Sequence, residues 1–385
     1  MNRREFLNAV GAATVTAWAP GAAFAQRPGV RYDRLLVLVE LKGGNDGLNT
    51  VVPYADPAYP GLRPRLAIAR DQVLQLDQQA GLHPALEPLM ASWKNRELAV
   101  VQGVGYPAPN LSHFRSIDIW DTASASNEYL TVGWLARAFA ASPAPAAFAA
   151  DAVVVGGAEM GPLRGGARAI ALASPEQFLR QARYAAPAGQ ARNAALHHIL
   201  RVEENIAQAA ARLSGNRAFA TEFPAGPFGN AVRTAAQLVA GEAGIAAVKI
   251  ALGGFDTHSG QPGRHAQLLK ALAEGLAALK HALVELGRWD STLVMTYSEF
   301  GRRPRENLSS GTDHGTASAH FLLGGRVKGG LYGVPPALSR LDGNGNLPFA
   351  VDFRDLYATV LERWWGADPA RALKARFAPL DVVRA

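Results

Sequence analysis

Two kinds of hydrophobic pattern take turns along this chain. Nearly unbroken apolar runs occupy Arg34–Leu41, Leu98–Val104, Ile245–Leu252 and Ser291–Tyr297, each with the length of a strand covered on both faces. One charged residue interrupts two of them, Glu40 in the first and Lys249 in the third. Shorter strands are predicted at Asp151–Val155 and Arg168–Ala173, around the glycine-rich turn 156–166. Helical periodicity fills the spaces between: His83–Trp93, a helix starting near His113, the span Pro175–Leu213, Phe228–Ala240 and Phe353–Trp365, the last capped by Asp352. In Gln267–Leu286 the leucines at 268, 269, 272, 276, 279, 283 and 286 form one stripe, which reads as core. Strands separated by helices predict an α/β fold with a mainly parallel central sheet. With no repeat or linker visible, residues 26–385 read as a single domain.

The amino terminus stands apart from this pattern. Asn2-Arg3-Arg4-Glu5-Phe6-Leu7, the mildly apolar Ala9–Ala19 and Ala23-Phe24-Ala25 follow the order of a twin-arginine export signal. Cleavage is expected after Ala25, which implies the twin-arginine machinery as a partner and a periplasmic or secreted mature chain. No later segment is long and apolar enough for a transmembrane helix. The 385 residues include no cysteine, which excludes thiolate metal sites, cysteine nucleophiles and disulfides. The formal charge of +7 comes from scattered arginines with no basic run, so no nucleic acid is expected as partner. A small anionic substrate fits that charge, as does plain solubility.

The chemistry gathers where the strands end. The first run leads into Lys42-Gly43-Gly44-Asn45-Asp46-Gly47, the third into Gly253-Gly254-Phe255-Asp256-Thr257-His258, and the fourth into Ser298-Glu299-Phe300-Gly301-Arg302-Arg303. His314 lies in a later polar loop beside Asp313. A parallel sheet sets its carboxyl ends along one edge, so residues distant in sequence can meet there. Asp46, Asp256, His258, Glu299 and His314 together make a donor set for one or two divalent ions, zinc first, manganese or magnesium as alternatives. Three carboxylates close together repel one another unless a cation lies between them. Asp46 also fits a turn that satisfies its own backbone. Ser112, at the start of the helix near His113, is a candidate nucleophile, although helix capping is the commoner use of such a serine. Arg302 or Arg303 is a candidate clamp for an oxyanion. Asp313 is placed to orient His314, and His113, His265 and His320 are further possible participants.

The segments GGNDGLNTVVP, NLSHFRS, GGFDTHSGQ, YSEFGRR and GTDHG, in this order after a twin-arginine signal, resemble the exported bacterial family called domain of unknown function 1501. That family is grouped with the alkaline phosphatase-like superfamily. The resemblance implies that superfamily's three-layer sandwich and a two-metal site at the carboxyl edge of its sheet. It also implies metal-binding roles for Asp46, Asp256, His258 and His314, and a nucleophile at Ser112. Where the superfamily has an Asp-His pair after the next strand, this chain has Glu299-Phe300, a carboxylate without an imidazole. A formylglycine sulfatase is excluded, because the chain has no cysteine and no serine followed by x-Pro-x-Arg. The function expected is an exported metal-dependent hydrolase of a phosphate ester or related anionic ester. The alternative is a non-catalytic periplasmic binding or assembly protein that retains the fold.

Overall fold

Strand β1 (Leu35–Lys42) is at the centre of the molecule, buried along nearly its whole length. In the computed structural model, which describes residues 29–172, 217–241 and 244–384, it pairs in parallel with strands on both sides. The remaining strands are β2 (Val51–Val52), β3 (Leu74–Gln75), β4 (Gly81–Leu82), β5 (Leu98–Gly105), β6 (Ala152–Val155), β7 (Ala169–Leu172), β8 (Ala247–Gly253), β9 (Thr292–Tyr297), β10 (Ser318–Leu323), β11 (Gly330–Gly333) and β12 (Val351–Asp352). The large sheet runs β11-β5-β10-β9-β1-β8-β6-β7, with β12 added alongside β5. All its pairings are parallel except the two made by β10. A small antiparallel sheet, β2-β4-β3, lies apart from it.

Alternation along β1 sends Leu35, Val37, Val39 and Leu41 to one face and Leu36 and Leu38 to the other. The first face packs on the helices Pro227–Ala240 and Gln261–Glu285. The second packs on His113–Thr122, Trp134–Ala141 and Phe353–Ala358. Helices therefore cover both faces of a mainly parallel sheet, the expected three-layer arrangement. A fully buried leucine contributes about 1.5–3 kcal/mol, so these two faces carry most of the driving force.

The two charges that interrupt the apolar runs are each other's partners. Lys249 on β8 sits 2.7 Å from Glu40 on β1, both almost fully buried. Parallel register sets Leu38 opposite Lys249 and Glu40 opposite Ala251, so the two side chains meet on one face of adjacent strands. Asp121, also buried nearby, has its carboxyl pushed up to about 8 by burial, against the pull of Lys249.

Several predicted elements shift in extent. His83–Trp93 divides into a 3-10 segment, Pro84–Leu89, and a short α-helix, Met90–Lys94, because Pro88 removes a backbone donor. Phe353–Trp365 passes from α-helix into a π-helical turn at Thr359–Trp364. The leader, the Pro175–Leu213 span and His197 and His198 fall outside the described residues.

Candidate metal centre

β1, β8 and β9 run in parallel and end together, and their exits carry the expected polar residues. Two of them, Asp256 and His258 after β8, converge with His314 from the later loop before β10. His258 Nε2 lies 3.0 Å from Asp256 Oδ1 and 3.0 Å from His314 Nε2, and His314 Nε2 lies 3.3 Å from Asp256 Oδ1. Bonds of about 2.0–2.1 Å in tetrahedral geometry hold ligand atoms about 3.4 Å apart, so this triangle has the dimensions of a ligand face. Two imidazole nitrogens at 3.0 Å also bring their lone pairs together, which a shared proton or a cation must compensate.

A third imidazole completes the group. His113 Nε2 is 3.5 Å from the other Asp256 oxygen, and ligand atoms of His113, Asp256 and His314 all lie within 4.8 Å of one another. The cluster opens to solvent: the Asp256 side chain is 46% exposed and His258 44%, against 22% for His314.

Neighbouring groups fix the rings. His113 Nδ1 is 2.8 Å from Glu299 Oε1, an oxygen that also accepts from the Gly43 N–H at 2.9 Å. Glu299 thus stands behind His113 and leaves Nε2 aimed at Asp256, the carboxylate–histidine arrangement that sets tautomer and ring orientation at metal sites. His314 Nδ1 faces the Leu111 carbonyl at 2.8 Å. Asp313 does not orient His314 as expected; its nearest imidazole is His258, with Oδ1 3.4 Å from Nδ1. The reason is that Arg302 and His314 bridge as strand-like neighbours, which turns His314 toward Leu111 and leaves Asp313 on the outer side.

Charges follow this geometry. Partial burial works to raise the Asp256 carboxyl, but the Arg302 guanidinium at 2.7 Å, with His314 and His258, brings it down to about 2. The hydrogen bond to Glu299 holds His113 above the usual imidazole range. Burial lowers His314, a change the Leu111 carbonyl partly offsets. Burial opposes ionisation of Glu299, but His113 and backbone donors outweigh it and the carboxyl stays below its ordinary range.

Two expected participants have other partners. Asp46 is fully buried and receives both Arg63 terminal nitrogens, at 2.6 and 2.9 Å, together with the Gln261 amide and the Leu48 N–H. Burial alone would raise its carboxyl, yet the Arg63 charge keeps it below the ordinary carboxylate range. Its oxygens are engaged away from the imidazoles, which corrects the expectation of a ligand at this position. Arg302 is equally buried and donates to the carbonyls of Gly43, Gly44, Phe255 and Thr312 as well as to Asp256. Its fork holds loops together, which corrects the expectation of a substrate clamp. Ser112 is the N-cap of the His113–Thr122 helix, with no capping bond from its side chain, and it is exposed. Of the histidines considered further, His265 is buried 3.0 Å from Asn45 Oδ1, and His320 is buried beside Trp120 with neither ring nitrogen bonded.

Fold and site define an α/β protein with a histidine–carboxylate cluster at the carboxyl edge of a parallel sheet. The chain belongs to the family described as "Protein of unknown function (DUF1501)", whose model matches residues 66–377. No curated protein matches it. Among solved structures, it is similar to a protein in the alkaline phosphatase superfamily from Vibrio parahaemolyticus, with 11% identity and a TM-score of 0.41 over 90% of this chain and 71% of that one. It is also similar to the C-terminal periplasmic domain of EcEptC from Escherichia coli, in complex with zinc, with 12% identity and a TM-score of 0.36 over 76% and 72%. The PsFucS1 sulfatase from Pseudoalteromonas sp. gives 12% identity and a TM-score of 0.39 over 90% and 70%. Among the described residues no helix is long and apolar enough to cross a membrane.

Proposed function

We propose that this protein is a metal-dependent hydrolase of a phosphate ester or related anionic ester, with Asp256, His258, His314 and His113 holding a divalent ion. The observation that carries this reading is the triangle of Asp256 Oδ1 and the two facing Nε2 atoms, at 3.0–3.3 Å. A donor set of three imidazoles and one carboxylate suits zinc, with manganese or magnesium less well matched to so many nitrogens. When bound, such an ion supplies Lewis acidity to an ester oxygen. Glu299 holds the His113 ring, and Arg302 ties Asp256 to the surrounding loops. Asp46 secures its own loop through Arg63 and acts on the site only by position. Ser112 Oγ, exposed at a helix start and adjacent in sequence to His113, is the proposed nucleophile. Its attack on the ester would form a new oxygen bond to phosphorus while the alcohol departs with the hydroxyl proton. The leader supports export by the twin-arginine route to the periplasm.

The test begins with metal analysis of untagged protein purified without chelator. About one equivalent of zinc, manganese or magnesium per chain is expected, and a preparation essentially free of divalent metal defeats the proposal. A panel of aryl phosphates, phosphodiesters and sulfates then separates a hydrolase from a metal-holding binding protein. In Ser112→Ala, turnover is expected to fall at least about a hundredfold with metal content unchanged; unchanged turnover removes Ser112 as nucleophile.

A further inference from the structure

At the same edge of the sheet, but on the side of the small β2-β4-β3 sheet, a partly open cavity of about 320 Å³ lies between β5, the start of β10 and two proline-containing loops. Leu48, Val51, Ala350 and Phe349 supply apolar walls. Pro335, Pro336 and Pro348 stiffen the two loops, since each fixes its own φ. Glycine allows the close approach: a Cβ at Gly103, where φ is +70°, would sit 3.2 Å from Ala350 Cβ. Val334 and Phe349 leave 58% and 38% of their surface exposed at the rim.

Two polar groups in this apolar setting have no use within the described part of the protein. Gln102 lines the cavity at only 4% exposure, and its side-chain amide forms no hydrogen bond among the described residues. As a lining residue, Gln102 offers both a donor and an acceptor with which a ligand in the cavity can pair. Arg340 also lines the cavity but is exposed, with no ion pair among the described residues. The deep group is both donor and acceptor, the shallow group is a planar cation, and the walls between are apolar.

We infer that this cavity binds a small amphipathic carboxylate that carries an amide, the chemistry of an N-acylated apolar amino acid. The amide pairs with Gln102, the apolar side chain lies on Leu48, Val51 and Phe349, and the carboxylate forks onto Arg340. The site is separate from the histidine cluster and needs no metal. Between the two, Asp46 faces Arg63 while the next two residues, Gly47 and Leu48, line the cavity.

Calorimetric titration of chelator-treated protein with N-acetyl-L-phenylalanine tests it. Saturable one-to-one binding is expected, with N-acetyl-L-phenylalaninamide and 3-phenylpropionate each about tenfold weaker because each lacks one polar group. Arg340→Ala should weaken the parent ligand about tenfold and leave the amide analogue unchanged. Gln102→Leu should weaken N-acetyl-L-phenylalanine about tenfold while sparing 3-phenylpropionate. Val334→Trp, on the exposed rim, should block all three ligands without changing the thermal transition, and Ala350→Trp, also exposed and beside Gly103, provides a second block. No saturable binding below about 10 mM, or binding that survives both tryptophan variants, overturns the inference. Gly-Phe keeps the amide, the phenyl ring and the carboxylate but adds a free ammonium: much weaker binding than the acetylated ligand supports an acyl amino acid, and binding as tight overturns it in favour of a peptide carboxyl terminus.

Discussion

Asp46 and Asp256 each follow a strand of the same parallel pair, and the structure gives them opposite surroundings. Asp46 is sealed, with a bidentate guanidinium and an amide on its oxygens. Asp256 is half exposed, with one oxygen turned to His258 and His314 and the other to His113. Carboxylates just past adjacent strands thus sit in different settings: one completes the fold, and the other faces a group of imidazoles near the surface. Burial with a matching cation distinguishes the first, and exposed imidazole lone pairs distinguish the second.

The widest separation between the two regions is expected in stability. Arg63→Ala leaves Asp46 buried without its counter-ion and should cost about 3–5 kcal/mol in urea unfolding of the metal-free protein. His258→Ala, which trims a solvent-facing ring, should cost no more than about 0.5 kcal/mol in the same experiment. If both variants lose the same stability, the contrast fails. Metal should then reverse the order of importance. Zinc at a hundredfold excess over its Kd should stabilise the wild-type chain by about 2.7 kcal/mol, because it binds only the folded state. The gain should persist in Gln261→Leu, if that variant folds, and vanish in the double variant His258→Ala/His314→Ala.

A smaller effect is expected from pH. Burial brings His265 down to about 4 and His320 to about 3, so both are neutral in the folded chain. Their unfolded values lie near 6.5, so the unfolded chain binds more protons on acidification. Their contribution is therefore present in full above pH 6.5 and is lost as pH falls toward 4. Asp256 adds a loss only at lower pH, as it titrates between its ordinary 3.8 and about 2. Urea midpoints of metal-free protein should decline from pH 6.5 to 4, and His320→Phe should flatten that decline. A midpoint constant down to pH 4 would show that these imidazoles do not control acid stability.

Much of this frame was legible in the residues. Apolar runs marked β1, β5, β8 and β9 to within about two residues, and the turn sequences after three of them named Asp46, Asp256, His258 and Glu299. The partners were not legible, for physical reasons. Arg63 is one of many scattered arginines, and nothing local distinguishes a guanidinium that closes over Asp46 from one in solvent. His113 belonged only among the possible participants, because its reach to Asp256 depends on how the His113–Thr122 helix packs. The antiparallel direction of β10 was hidden too, since its apolar pattern is the same read either way.

Arg302 has a consequence for the order of folding. One side chain closes contacts 10, 47, 258 and 259 residues away along the chain, at Thr312, Phe255, Gly44 and Gly43. Such contacts repay their loop-closure entropy only after the segments between them are in place. The cluster that Arg302 borders is therefore expected to assemble late in folding. An ion taken up there would distinguish chains that have finished folding from chains that have merely collapsed.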